Sequence, residues 1–223
     1  MNRKQIKAEA KAKLKGNWWT LFKPILLVAV IEFALVGILS FIFKVDWTAR
    51  ERHGAGYQTV NILNALAVLP LSVGMITYYL KFLRGKKAEL ADLFGSYKDI
   101  LTIVIIAIIV CALTFLGTLL LVIPGIIIGL GLAMVYYLVS DGETSSTKAI
   151  SKSWEMMKGH KWEYFVFCLS FLGWILLGVV TLGIAMLWVT PYMYLAQANF
   201  YDHLLGKKTK ATEKKAEAKP KTK

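Results

Sequence analysis

Cysteine, histidine and acidic side chains are scarce in this sequence, and each scarcity closes off a class of protein. Only two cysteines occur in 223 residues, Cys111 and Cys168, and both fall inside apolar runs. That excludes a disulfide framework and leaves two inert interior thiols. The three histidines, His53, His160 and His203, are scattered along the chain and make no metal site; His160 stands at an expected helix end, where capping accounts for it. Paired His/Glu ligands, a Gly-x-Ser-x-Gly turn and convergent aspartates are also missing from the apolar runs. No catalytic residue, cofactor or metal is therefore expected. Nor does a small-x-small cleavage site follow the first apolar run, 19–43, which is too long for a secretory signal and reads as an uncleaved span.

The largest deficit is of charge itself. Between Asp99 and Asp141 there is no charged residue, and 57% of the chain is hydrophobic, gathered into long blocks. Such blocks mark a polytopic membrane protein. Two spans are simple, at about 19–43 and 62–83. The next block, 100–139, would run about 60 Å as one helix, twice the roughly 30 Å hydrocarbon core. It must turn back, and Pro124 and Gly125 are the natural place, since proline lacks a donor and glycine tolerates unusual dihedrals. Beyond that turn, Gly129 and Gly131 read as close-packing positions, so Gly131→Leu is expected to disturb the bundle more than Gly125→Ala. The block 162–200 has the same excess length, with its break between Gly178 and Gly183. The expected fold class is all-α, with six spans at about 19–43, 62–83, 100–122, 125–139, 162–178 and 182–200, arranged as three helical hairpins.

Charge distribution tests this count. With six spans, 23 of the 27 lysines and arginines fall on one side, against Lys44, Arg50 and Arg52 on the other. Lys23, near the end of the first span, can snorkel. Basic residues favour the cytoplasmic side, so both termini are expected there, in a bacterial cytoplasmic membrane.

Three stretches resemble one another around a glycine: Leu14–Phe22, Leu93–Leu101 and Met157–Phe165. The even-numbered spans end alike, in Tyr78-Tyr79-Leu80, Tyr136-Tyr137-Leu138 and Met193-Tyr194-Leu195. Internal self-similarity implies a repeated unit, here an interfacial cytoplasmic helix followed by a membrane hairpin. Residues 1–18 form the first such helix. In the last, Thr147, Ile150, Ser153, Trp154 and Met157 tend to one face, and Lys148, Lys152, Glu155 and Lys158 to the other. Such a helix lies among lipid headgroups. Lys11, Lys15, Lys148, Lys152, Lys158, Trp18 and Trp162 are the expected headgroup contacts, with anionic lipid as the partner.

At "IPGI" near 123–126, "MKGHKWEYF" at 157–165 and "VTPYMYLAQANFYD" at 189–202, the chain resembles a bacterial integral-membrane family catalogued as domain of unknown function 975. The basic opening "MNRKQIKAEAKAKLKGNWW" resembles that family's start, extending the resemblance over nearly all of residues 1–205. It implies a membrane topology and brings no agreed substrate or catalytic residue. The family is distantly similar to the membrane domain attached to some glycerophosphodiester phosphodiesterases.

Glu32 is the sharpest functional candidate, an ionisable residue near the middle of a span. A charge at that depth costs roughly 3 kcal/mol on insertion scales and marks a functional position by default. The alternative is a protonated carboxyl bonded to Asn64, Ser72, Thr77 or a bundle tyrosine. The tail from residue 206 carries eight lysines, two glutamates and no aromatic. It reads as disordered, attracted to anionic lipid, and unsuited to specific nucleic-acid binding. The function expected is that of a non-enzymatic scaffold, regulator or accessory subunit in envelope homeostasis, with a membrane-protein partner or a second copy. The alternative is a small transporter or channel for lipid, amphipathic peptide or ion, with Glu32 in its pathway.

Overall fold

A computed structural model of the chain describes residues 3–45 and 55–206, which are helical with no strand among them. The helices are α1 (Arg3–Leu14), α2 (Trp18–Ile42), α3 (Ala55–Leu83), α4 (Asp92–Gly95), α5 (Ile100–Leu120), α6 (Val122–Leu132), α7 (Val135–Ser140), α8 (Ser146–Met156), α9 (Lys161–Leu169), α10 (Leu172–Val180) and α11 (Met186–Leu204), with a 3-10 turn at Ser96–Asp99. By length and composition, five stretches can cross a membrane: Trp18–Ile42, Ala55–Leu83, Asp92–Leu120, Val122–Ser140 and Lys161–Val180. This is consistent with a membrane protein. The sixth expected span corresponds to α11, which is not among the five and carries Gln197, Asn199, Asp202 and His203. Its other side chains sit at the centre of the molecule: Leu195, Ala196, Ala198, Phe200 and Tyr201 are wholly buried. Residues 46–54, with Asp46, Glu51 and His53, and the lysine-rich stretch from 207 lie outside the described residues.

The reversal expected at Pro124 and Gly125 is made three residues earlier, by Leu121 alone, in extended conformation (φ −167°, ψ 147°). Pro124 and Gly125 lie instead in the first turn of α6. Proline is tolerated there because an N–H in the first turn has no intrahelical partner to lose. The two helices then run back along each other, Gly125 beside Thr118 and Gly129 beside Thr114. A Cβ on Gly125 would lie 2.2 Å from Thr118 Oγ1 and 2.8 Å from its backbone N. Alanine at Gly125 would therefore itself force Thr118 to shift. Gly131 has close neighbours as expected, a Cβ there falling 2.4 Å from the Trp154 ring. The second reversal occupies residues 181–185, with Leu182 (φ 50°) and Gly183 (φ 90°) both left-handed. Gly178 stands inside α10, buried against Met186, rather than in the turn.

The helices that end alike converge. Tyr79 stacks on Tyr194 with ring centroids 5.0 Å apart, and the Tyr137 hydroxyl donates to Gln197 Oε1 at 3.2 Å. Tyr78 and Tyr79 also donate to the carbonyls of Thr20 and Leu21, at 2.7 and 2.6 Å, tying α3 to the start of α2. One face of the helix α8 packs against protein. Ala149, Ser153 and Met157 are wholly buried, while Thr147, expected on that face, is exposed. The reason is the break between α6 and α7. Interrupting a helix frees backbone groups that must find partners. Ser153 serves two of them, its hydroxyl donating to Gly131 O at 2.9 Å and accepting from Met134 N at 3.2 Å.

Candidate functional site: a charged hub at three helix ends

Arg84 follows α3, Asp141 follows α7, and Asp202 lies in the last turn of α11. Packing of these three helices brings the side chains together. The guanidinium grips Asp202 through Nε and Nη2, at 3.1 and 2.6 Å to Oδ1. Its Nη2 also donates to Asp141 Oδ2 at 3.0 Å, an oxygen that accepts the Tyr201 hydroxyl at the same distance. The side chains of Arg84, Asp141 and Asp202 are 20%, 17% and 5% exposed. Burial alone would lower the Arg84 pKa. Hydrogen bonds to Asp141 and Asp202, and their charges, outweigh it and hold the group above its ordinary value. Arginine suits the place because its planar fork can grip two carboxylates at once. Chemically this is a lock, holding three helix ends in one register.

Beside the hub lies a polar cleft of about 420 Å³ between α3, α4 with its 3-10 turn, and the end of α7. Lys81 pairs with Asp92 at 2.6 Å on its wall, and the Thr77 and Ser140 hydroxyls meet at 2.6 Å on its floor. A second polar cluster fastens α1 to α11. Asn199 Nδ2 donates to Ile6 O at 2.9 Å and to Glu9 Oε2 at 3.1 Å. Lys7 lies 4.1 Å from the Phe171 ring centroid, and burial pulls its ammonium below its ordinary value. Nearby, His203 Nε2 is buried without a hydrogen bond, 3.7 Å from Glu9 Oε2.

This histidine makes the α1 contact acid-sensitive. Burial holds His203 below its ordinary value, and the Asp202 charge opposes it. The folded state therefore binds this proton less readily than the unfolded one. The associated stability is complete above the unfolded value near 6.5 and falls as pH drops below it. Thermal unfolding in detergent at pH 7.5 and 5.5 should show a loss in the wild type that is smaller in His203→Gln. Equal losses would contradict the assignment.

The residues singled out in the sequence do not gather into one site. Glu32 is exposed on α2 and makes no hydrogen bond or ion pair among the described residues. Lys11, Lys15, Lys148, Lys152 and Lys158 are exposed, and Trp162 is 72% exposed. Trp18 is half-buried, stacked on Trp188 of α11 at 5.6 Å. His160 occupies the N-cap position of α9 but makes no side-chain cap bond; its Nδ1 lies 3.1 Å from Glu163 Oε2. The hub was not anticipated. Its one sequence signal is that a charged residue follows each tyrosine–leucine pair within about two helical turns: Arg84, Asp141 and Asp202.

Residues 102–208 match the family model described as protein of unknown function (DUF975). The match is shorter than the resemblance implied, taking in Asp141 and Asp202 but leaving Glu32 and Arg84 outside. No curated protein and no solved structure matches the chain.

Proposed function

We propose that this chain is a non-enzymatic integral protein of the bacterial cytoplasmic membrane that acts as a scaffold, regulator or accessory subunit. In this reading six spans form three hairpins, each preceded by a cytoplasmic interfacial helix, with both termini in the cytoplasm. The observation that carries the reading is the setting of Glu32. Leu21, Ile25, Val28, Glu32, Leu35 and Leu39 follow alternating steps of four and three, so they share one face of α2. The other five are buried or half-buried, whereas Glu32 is exposed. Around it α2 is uncovered, with Phe33 84% and Phe41 86% exposed. A carboxyl held against hydrocarbon is costly, and a helix of another chain can supply the hydrogen bond it lacks.

The test is co-purification and crosslinking in mild detergent. Wild-type protein should elute with a membrane partner or a second copy. Glu32→Leu should lower the captured fraction about tenfold, the equivalent of one strong intramembrane hydrogen bond, while Glu32→Gln keeps part of it. A wild-type chain that always runs alone, with both variants indistinguishable from it, would sink the proposal. Flux in proteoliposomes that depends on Glu32 would favour transport instead.

A further inference from the structure

We infer that the cleft between α3, α4 and α7 binds a small zwitterion bearing a phosphate and a primary ammonium, the chemistry of a phosphoethanolamine headgroup. The site rests on the membrane reading above and adds a ligand to it. At about 420 Å³ the cleft has the size of a small-molecule pocket. Two lysines and two aspartates line it, and their pairing is unequal. Lys81 and Asp92 satisfy each other at 2.6 Å, and the second Asp92 oxygen accepts the Glu89 N–H at 3.0 Å. Lys98 and Asp99 make no hydrogen bond or ion pair among the described residues, and Asp99, the N-cap of α5, makes no side-chain cap bond. The cleft therefore offers one unmatched ammonium and one unmatched carboxylate, a pattern answered by a ligand carrying both charges.

The floor decides which end enters. Thr77 Oγ1 and Ser140 Oγ lie 2.6 Å apart, and each lies 3.2 Å from Val73 O. Two hydroxyl hydrogens serve three oxygen–oxygen contacts, so the floor presents lone pairs and has no proton to spare. It suits a donor. The ammonium of the ligand points to these hydroxyls and to Asp99, and the phosphate meets Lys98. A quaternary ammonium has no N–H to give these hydroxyls and gains nothing from them. Beside the cleft Phe94 and Tyr97 stack at 6.4 Å, 47% and 36% exposed, and the Tyr97 hydroxyl donates to Ala67 O, well inside the apolar part of α3. Exposed rings beside the charged cleft can lie against acyl chains, which favours a membrane lipid over a soluble metabolite as the source.

The experiment uses the full chain in detergent, titrated with short-chain phosphatidylethanolamine, phosphatidylcholine and phosphatidylglycerol, and with soluble phosphoethanolamine, read by native mass spectrometry. Phosphatidylethanolamine is expected to bind at least about tenfold tighter than the other two lipids. Lys98→Ala and Asp99→Asn should each weaken it about tenfold, the value of one charge-assisted hydrogen bond. Binding of soluble phosphoethanolamine with the same dependence supports the site and shows that the headgroup suffices. Binding of the lipid alone supports it with the bilayer as source. Equal binding of the three lipids by a membrane-retained protein, or wild-type affinity in both cleft variants, overturns the site alone. Loss of the protein from carbonate-washed membranes overturns the membrane reading and this site with it.

Discussion

Arg84→Met is expected to destabilise the chain by about 3 kcal/mol, the low end of the cost of removing one partner from a buried charge group. Methionine fills similar space, so the loss is electrostatic. Asp202, only 5% exposed, would keep its charge without the guanidinium that answers it, and Asp141 would retain only the Tyr201 hydroxyl among the hub contacts. Thermal unfolding of the detergent-solubilised protein measures the effect. The triple change Arg84→Met, Asp141→Asn, Asp202→Asn should recover most of it, since neutral amides are cheaper to bury than unpaired carboxylates. If the single variant melts as the wild type does, the hub is not holding the three helix ends. Because Asp202 is more buried than Asp141, Asp202→Ala should cost more than Asp141→Ala.

The second large effect is expected from Gly74→Ala, at about 2–3 kcal/mol, the range for forcing a methyl into a packed interior. A Cβ on Gly74 would fall 2.1 Å from the carbonyl oxygen of Leu93 and 2.7 Å from its Cα. That neighbour is backbone and cannot rotate away, so α4 must shift. The shift would also strain the Lys81–Asp92 pair that joins α3 to α4. Faster proteolysis between residues 84 and 99, together with a lower melting temperature, is the expected signature. Unchanged protease resistance there would show that α4 accommodates the methyl.

Much of the helical layout was legible because it depends on local and periodic information. Charge-free runs announce apolar helices, excess length announces a reversal, and the recurring tyrosine–leucine pairs mark helices that meet, as Tyr79 and Tyr194 do. The position of a turn was less legible. Pro124 looks like a breaker, but the same residue is compatible with a first helical turn, so the chain could bend at Leu121 instead. Least legible was the hub. Arg84 is separated from Asp141 by 57 residues and from Asp202 by 118. Helical periodicity says which residues share a face of one helix, not which charges of distant helices converge. The partners of the buried face of α8 were illegible for the same reason: that face answers backbone groups freed by a break elsewhere.

The clasp between α1 and α11 has a consequence for biosynthesis. Asn199 holds Ile6 across 193 positions of sequence. A ribosome delivers the amino-terminal helix early and its docking surface near the end. Throughout elongation Ile6 and Ala10, wholly buried in the finished protein, have no α11 to cover them. The docking of α1 on α11 can therefore be made only after α11 has been synthesised. A chain released before Asn199 would carry an orphaned leading helix, a ready mark by which quality control can recognise an unfinished product.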